Sequence, residues 1–306
     1  MIDRRSFIRL AAVGGGAVFM SGLPGQAMAA LAGKSVRQAV SPTSSEHDFY
    51  FIQMSDTHWG YSGKANPDAA NTLKTAVTTI NALEVQPDFI IFTGDLTHTT
   101  DDPAERRRRL AEFRDIVGEL KVTAVHCIPG EHDASLDGGE AFQESFGDTH
   151  FSFNNKGVHF IGLDNASDPE GNLGDKQLEW LKNDLAQHAK SARIVVFAHR
   201  PLFQLAPQWG WDTPDGDKAI ALLAPYANVT VFYGHIHQEY HYQTGNIKHH
   251  SAKSLVYPFP APGSQANLVP LAWDPASPDK GLGFRDVETN TATGKVAISE
   301  LPVKNA

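Results

Sequence analysis

The sequence predicts an α/β chain of two packed β-sheets with helices outside both. Three observations carry that prediction. Apolar, β-rich runs alternate with amphipathic helical runs over the first part of the folded region. A hairpin pattern interrupts that alternation near Phe151, and further strands follow it. Strand runs also end repeatedly in Asp, Glu or His, which gathers polar side chains at one sheet edge.

The elements follow in order. Phe49 to Met54 is a β-rich run ending at Asp56. Leu73, Val77 and Ile80 fall at i, i+4 and i+7, predicting a helix over 67–83. Asp88 to Phe92 is a second strand, leading into Gly94-Asp95. A second helix starts at Pro103, with Leu110, Phe113 and Val117 on one face and the basic run Arg106–Arg109 on a solvated face. Val122 to Ile128 is a third strand ending at Gly130. Phe151 to Leu163 reads as a hairpin turning at Asn-Asn-Lys-Gly. The next helix opens at Gly174-Asp175, where Asp175 can cap it, and carries Leu178, Leu181 and Leu185 on one face. Arg193 to Phe197 is a strand, Lys218 to Leu223 a short helix, and Val229 to Phe232 another strand. Beyond Ser254 the chain is rich in Pro and Gly, with weak strand signals at 284–287 and 295–298. The intervals from Asp56 to Asp95 and from Asp95 to Glu131 each accommodate one strand–helix–strand crossover.

The bulk composition narrows the class. With 306 residues and 41% hydrophobic content the chain can bury one large core or two modest ones. A net charge of −9 argues against a dedicated nucleic-acid binder, whose footprint is a basic stripe. The N-terminus carries a targeting pattern: Arg4-Arg5-Ser6-Phe7-Ile8, an apolar stretch from Leu10 to Leu23, then Ala27-Met28-Ala29. That layout is a twin-arginine-type signal peptide over residues 1–29, the alternative being an uncleaved anchor. It predicts contact with the twin-arginine export machinery, a periplasmic or secreted protein, and no stable membrane insertion after cleavage. Residues 30–47 read as a spacer, 48–253 as the main domain, and 254–306 as an extension packing on it. Cys127, the only cysteine, permits no internal disulfide and reads as a small core hydrophobe.

Five short signatures carry the chemistry: Asp56-Thr57-His58, Gly94-Asp95-Leu96-Thr97-His98, Gly130-Glu131-His132-Asp133, a lone His199, and Gly234-His235-Ile236-His237. Singly each is weak, since an Asp after a strand also caps turns and a His also packs in turns. Together, at domain-sized spacing, they place Asp, Glu and His donors on one edge, as a pair of small metal ions requires.

On these motifs the chain resembles the calcineurin-like metallophosphoesterase superfamily, over roughly residues 49–250. Gln177-Leu178-Glu179-Trp180-Leu181 is also similar to a helix of its small, single-domain, cyclic-nucleotide-phosphodiesterase-like branch. The resemblance implies a four-layer αββα sandwich of two mixed sheets with the metal site at the strand C-terminal edge. It implies Asp56, His58 and His237 at one metal, Asp95 bridging, and Glu131, His199 and His235 at the other. The metals implied are iron, manganese or zinc, a mixed iron–divalent pair included. The activity implied is hydrolysis of a small phosphoester, a phosphodiester first and a monoester as the alternative, by a metal-bridging hydroxide. A metal-loaded binding protein with weak catalysis is the reading from another class. His132 corresponds to the general acid of the family. His98 is a candidate for orienting a ligand or completing the leaving-group pocket. Asp133 either orients His132 or simply forms the turn.

Glu131 departs from the family pattern, which has Asn there. Glutamate adds a methylene and a negative charge, so it either ligates the second metal or points away and leaves that site weak. Phe203, Trp209 and Trp211, after His199, either offer aromatic faces to a substrate or pack under their Pro-rich loop. His249-His250 and Tyr257-Pro258-Phe259 are candidates for a further wall of the cleft.

Overall fold

A computed structural model describes residues 49–290 and 295–303. The expected twin-arginine-type signal and the whole of the expected spacer lie outside the described residues. Two mixed sheets form the centre of the fold. The first has five strands in the order β11-β10-β1-β2-β3, the second six in the order β4-β5-β6-β7-β9-β8. The strands are β1 Tyr50–Met54, β2 Phe89–Thr93, β3 Val125–Ile128, β4 Phe151–Asn155, β5 Val158–Gly162, β6 Arg193–Phe197, β7 Asn228–Tyr233, β8 Tyr240–Thr244, β9 Ile247–Ser251, β10 Phe284–Asn290 and β11 Lys295–Leu301. The helices are α1 Ala69–Asn81, α2 Pro103–Val117, α3 Glu131–Ala134, α4 Glu140–Phe146, α5 Gly174–Leu185 and α6 Gly216–Leu223.

Period-two alternation explains the layers. In β1, Phe51 turns inward to a Phe-rich interface shared with Phe89, Phe160, Phe197 and Phe232. Tyr50, Ile52 and Met54 turn outward onto Leu73, Val77 and Phe113 of α1 and α2. The second sheet repeats the scheme: Val195 and Phe197 face the first sheet, while Ile194 and Val196 face α5 and α6. Strands β1, β2 and β5 are buried along their whole length, as expected of strands covered on both faces. The architecture is therefore helix, sheet, sheet, helix. Among the described residues no helix is long and apolar enough to cross a membrane.

Several local expectations change. The β4–β5 turn is the two-residue Lys156–Gly157, both at positive φ (46° and 77°), which matches the twist of the flanking strands. The start of α5 is capped across the fold, not by Asp175. The Asp215 carboxylate accepts from the amides of Leu173 and Gly174 at 2.9 and 3.0 Å, whereas Asp175 is exposed beside Lys218. The basic run on α2 is not a free solvated face. Arg106 is buried against Asp137 at 2.7 Å, Arg107 pairs with Glu144 at 2.6 Å, and Arg109 reaches Glu105 at 2.8 Å. The segment after Ser251 is woven into the first sheet. Strand β10 pairs antiparallel with β1, and the Leu255 amide donates to the Ser55 carbonyl at 3.2 Å.

Candidate metal centre

Loops leaving β1 and β2 are zipped together beyond the strands. The amides of Asp56, His58 and Trp59 donate to the carbonyls of Gly94, Asp95 and Leu96 at 3.1, 2.9 and 2.9 Å. That forces unusual backbone. Of six non-glycine residues at positive φ among the described residues, Asp56, His58, Asp95, His235 and His237 are five. Strain concentrated on polar residues at one sheet edge is the signature of a built site. The neighbouring glycines make room: a Cβ at Gly130 would overlap the Asp95 carboxylate, and one at Gly234 would overlap Ser55.

Two donor sets result, sharing one residue. Asp56, His58, Asp95 and His237 form the first, and Asp95, Glu131, His199 and His235 the second. In the first, His237 Nε2 lies 3.3 Å from Asp56 Oδ1 and 3.3 Å from His58 Nε2, while His58 Nε2 lies 3.4 Å from Asp95 Oδ2. In the second, Glu131 Oε2 lies 2.8 Å from His199 Nε2 and Oε1 lies 3.0 Å from His235 Nδ1. Glu131 thus points into the site.

The rings are held by their far nitrogens. His199 Nδ1 meets the Thr93 carbonyl at 2.7 Å, His237 Nδ1 the Tyr257 carbonyl at 2.7 Å, and His235 Nε2 the Gly210 carbonyl at 2.9 Å. A carbonyl only accepts, so each of those nitrogens carries a proton and the other faces inward, where it can present a lone pair to an ion. His58 differs: its Nδ1 lies 3.2 Å from His98 Nδ1. His98 therefore orients a ring of the first set. Arg109 in turn holds the His98 carbonyl at 2.8 Å.

These donors fit cations. His199 Nε2 and Glu131 Oε2 are buried and 2.8 Å apart, yet neither makes an aligned hydrogen bond. Lone pairs aimed at a common point instead of at each other are what ligands of one ion show, and buried polar atoms are otherwise satisfied. The electrostatics show the same demand for positive charge at this point. Burial opposes charge on Glu131, but His235 and His199 hold its carboxyl well below the usual range. Burial likewise disfavours a charged His199, yet Asp95 and Glu131 raise it well above the ordinary imidazole value. His58 goes the other way: burial, then His132, lowers it well below that value.

His132 stands beside the pair. Its Nδ1 accepts from the Thr99 amide at 3.1 Å, which leaves the proton on Nε2, 4.0 Å from Asp95 Oδ2. Its ring stacks on His98 with centroids 5.1 Å apart. Asp133 does not orient it. The Asp133 carboxylate accepts from the amides of Leu96, Thr97 and Gly130 at 2.9, 2.8 and 3.0 Å, stapling two ligand loops together. Burial, reinforced by Asp95, pushes that carboxyl up to about 6.

The aromatic expectation divides. Trp211 is 0% and Phe203 8% exposed, packed with Ala206, Tyr233 and Ile236, so neither offers a face to a substrate. Trp209 is half-buried against Trp211. The loop serves the site through the Gly210 carbonyl, which sequence reasoning had no means to single out. Tyr257 and Phe259 do wall the site, with ring centroids 4.9 and 4.5 Å from His237. His249 and His250 lie on β9 and instead contact Phe203, Tyr242, Phe232 and His241. Cys127 is partly buried, and burial raises its thiol.

Residues 49–239 match the family model of the calcineurin-like phosphoesterases. The chain belongs to that family. It is 31% identical over 186 residues to the serine/threonine-protein phosphatase CPPED1 of Danio rerio, a match covering 52% of this chain and 59% of that protein. It is 25% identical over 216 residues to the 3',5'-cyclic-nucleotide phosphodiesterase alr5338 of Nostoc sp., covering 68% and 78%. The chain thus spans under two thirds of the first relative's length. The solved structure of a dimetal phosphatase from Danio rerio shares the fold, with TM-score 0.59, 15% identity, and 84% and 99% coverage.

Proposed function

We propose that this chain is an exported phosphoester hydrolase with two metal ions, acting on phosphodiesters. The observation that carries the reading is the pair of four-residue donor sets sharing Asp95, with the His132 imidazole beside them. Asp56, His58 and His237 would hold one ion, Glu131, His199 and His235 the other, and Asp95 both. When bound, such a pair would supply Lewis acidity to the phosphoryl oxygens and to the attacking water.

The chain's own residues do the rest. The Thr99 amide fixes His132 as the tautomer with its proton on Nε2, placed to stabilise the leaving oxygen by donating a hydrogen bond to it. His98, stacked against it, is lowered to about 4 by burial, His132 and Arg109, so it stays neutral and adds no competing charge. Glu131 supports the diester choice. With Asp56 and Asp95 it brings a third carboxylate to the site, which repels a monoester dianion more than a diester monoanion. Export rests on Arg4-Arg5 and Ala27-Met28-Ala29.

Assay with bis-p-nitrophenyl phosphate and p-nitrophenyl phosphate, with added manganese, tests the reading. The diester is expected to turn over faster, chelation to abolish both activities, and Arg4→Lys with Arg5→Lys to move activity from periplasm to cytoplasm. Full metal occupancy with no turnover on any ester would sink the enzyme claim.

A further inference from the structure

A second cluster of metal-type donors lies away from the centre described above. Gln177 ties the start of α5 to the end of β5, its Oε1 accepting from the Asp164 amide at 2.8 Å. Helix α5 therefore runs back along the sheet, and its end meets the start of β5. There His159 of β5, Asp184 of α5 and His188 just beyond it bring one ligand atom each within 4.8 Å of one another.

The cluster is built, not incidental. His159 occupies an outward position of β5 next to Ile161, where the neighbours are the apolar residues of α5. It is 4% exposed, so its ring nitrogens need partners inside the fold. Its Nδ1 meets Asn154 Oδ1 at 3.0 Å, which places a proton on Nδ1 and turns Nε2 to Asp184 Oδ2 at 2.6 Å. Asp184 is itself oriented, its Oδ1 accepting from Ser152 Oγ at 2.7 Å. Each inner donor thus has an outer partner on β4, the arrangement that steadies metal ligands. His188 adds a third donor one helical turn from Asp184, its ring centroid 3.8 Å from that of His159. The carbonyl end of α5 adds negative potential, which favours a cation.

We propose that His159, Asp184 and His188 form a third metal site, for a zinc-class divalent cation, separate from the dinuclear centre. Two imidazoles and a carboxylate suit zinc, with water completing a tetrahedron. Ligand atoms at tetrahedral zinc lie roughly 3.3 Å apart, so the 2.6 Å pair must open by under about 1 Å. The second catalytic donor set shows a similar contraction, at 2.8 Å between His199 and Glu131. An imidazolium–carboxylate bridge accounts for the His159–Asp184 contact but leaves the placement of His188 without a role.

The test is zinc counting on the full protein. Wild type and His188→Ala are dialysed against the same micromolar free Zn2+, and bound metal is measured by mass spectrometry. The variant is expected to hold one zinc fewer per chain, at unchanged phosphoester turnover. It should also lack the part of the zinc-induced Tm rise that wild type shows after its catalytic sites are filled. Ser152→Ala should weaken that same site about tenfold. His188 is partly exposed, so its truncation leaves folding intact and the comparison readable. Equal zinc counts in the two proteins would overturn the proposal and leave an ion pair in its place.

Discussion

The two halves of the candidate metal centre carry the same donor types and differ in how those donors are held. Each half has one carboxylate of its own, two imidazoles, and a share of Asp95. Asparagine at position 131 would have broken that equality, and glutamate restores it. Yet Asp56 is fully buried and accepts the His235 amide with both oxygens at 3.1 Å. Glu131 has a side chain 21% exposed, one more rotatable bond, and the side chains of His199, His235 and, at 3.7 Å, Arg200 as the cationic or imidazole partners of its carboxylate. The first half is preorganised by backbone. The second is adjustable, and its charge is balanced by side chains.

Removing the shared residue erases the comparison and gives the largest effect. Asp95→Ala takes a ligand from both sets, and the Lewis acidity of a metal pair is worth several kcal/mol at the transition state. Turnover should fall by about 10³-fold or more, with both metals lost on dialysis. A variant that kept either ion at wild-type affinity would show that the halves are not coupled through Asp95.

His132 belongs to the flank of the first half, with its ring 4.5 Å from His58 and stacked on His98. A group that stabilises the leaving oxygen, on the scale of general-acid help, is worth up to about 10²–10⁴-fold. His132→Ala should therefore sit near the lower figure for nitrophenyl esters, whose leaving group needs little help, and near the upper for alkyl esters. An equal loss across leaving groups would assign His132 to binding instead.

What could be read in the sequence followed from locality. Each ligand motif is a strand end plus two or three residues, so Asp56, His58, Asp95, His235 and His237 are visible together with the glycines that let them close. The layers were legible from the order of elements, strand–helix alternation followed by a hairpin and further strands, but the face each strand turns to which neighbour was not, because β1 and β2 are buried on both faces. The contacts that steady the site were not. Gly210 and Tyr257 act through backbone carbonyls, which any residue type could supply, and Asp133 staples loops from 36 and 37 residues away. The β8–β9 hairpin was missed because His241, Gln243, Lys248 and His250 give it no apolar alternation. Phe203 and Trp211 were ambiguous for the same kind of reason: an aromatic in a loop reads alike whether the fold buries it or opens it.

Acidification separates the halves by a smaller margin and in a definite direction. His199 has its folded-state pKa raised well above the ordinary value, because Asp95 and Glu131 overcome the cost of burial. Metal entering the second set must displace that proton, so its affinity falls as pH falls below the raised pKa, by about tenfold per pH unit for one proton. His58 is lowered well below the ordinary value by burial and His132, so near neutrality it holds no proton to displace. As pH falls from 7.5 toward 5.5 the second ion should therefore leave before the first. Metal analysis after dialysis along that series reads it directly. Glu131→Gln sharpens the test. Removing the carboxylate charge lowers the His199 pKa and so flattens the pH slope, although metal affinity at pH 7.5 drops about tenfold with the lost anionic ligand. Simultaneous loss of both ions, or a slope indifferent to Glu131, would mean that the glutamate does not tune the second half.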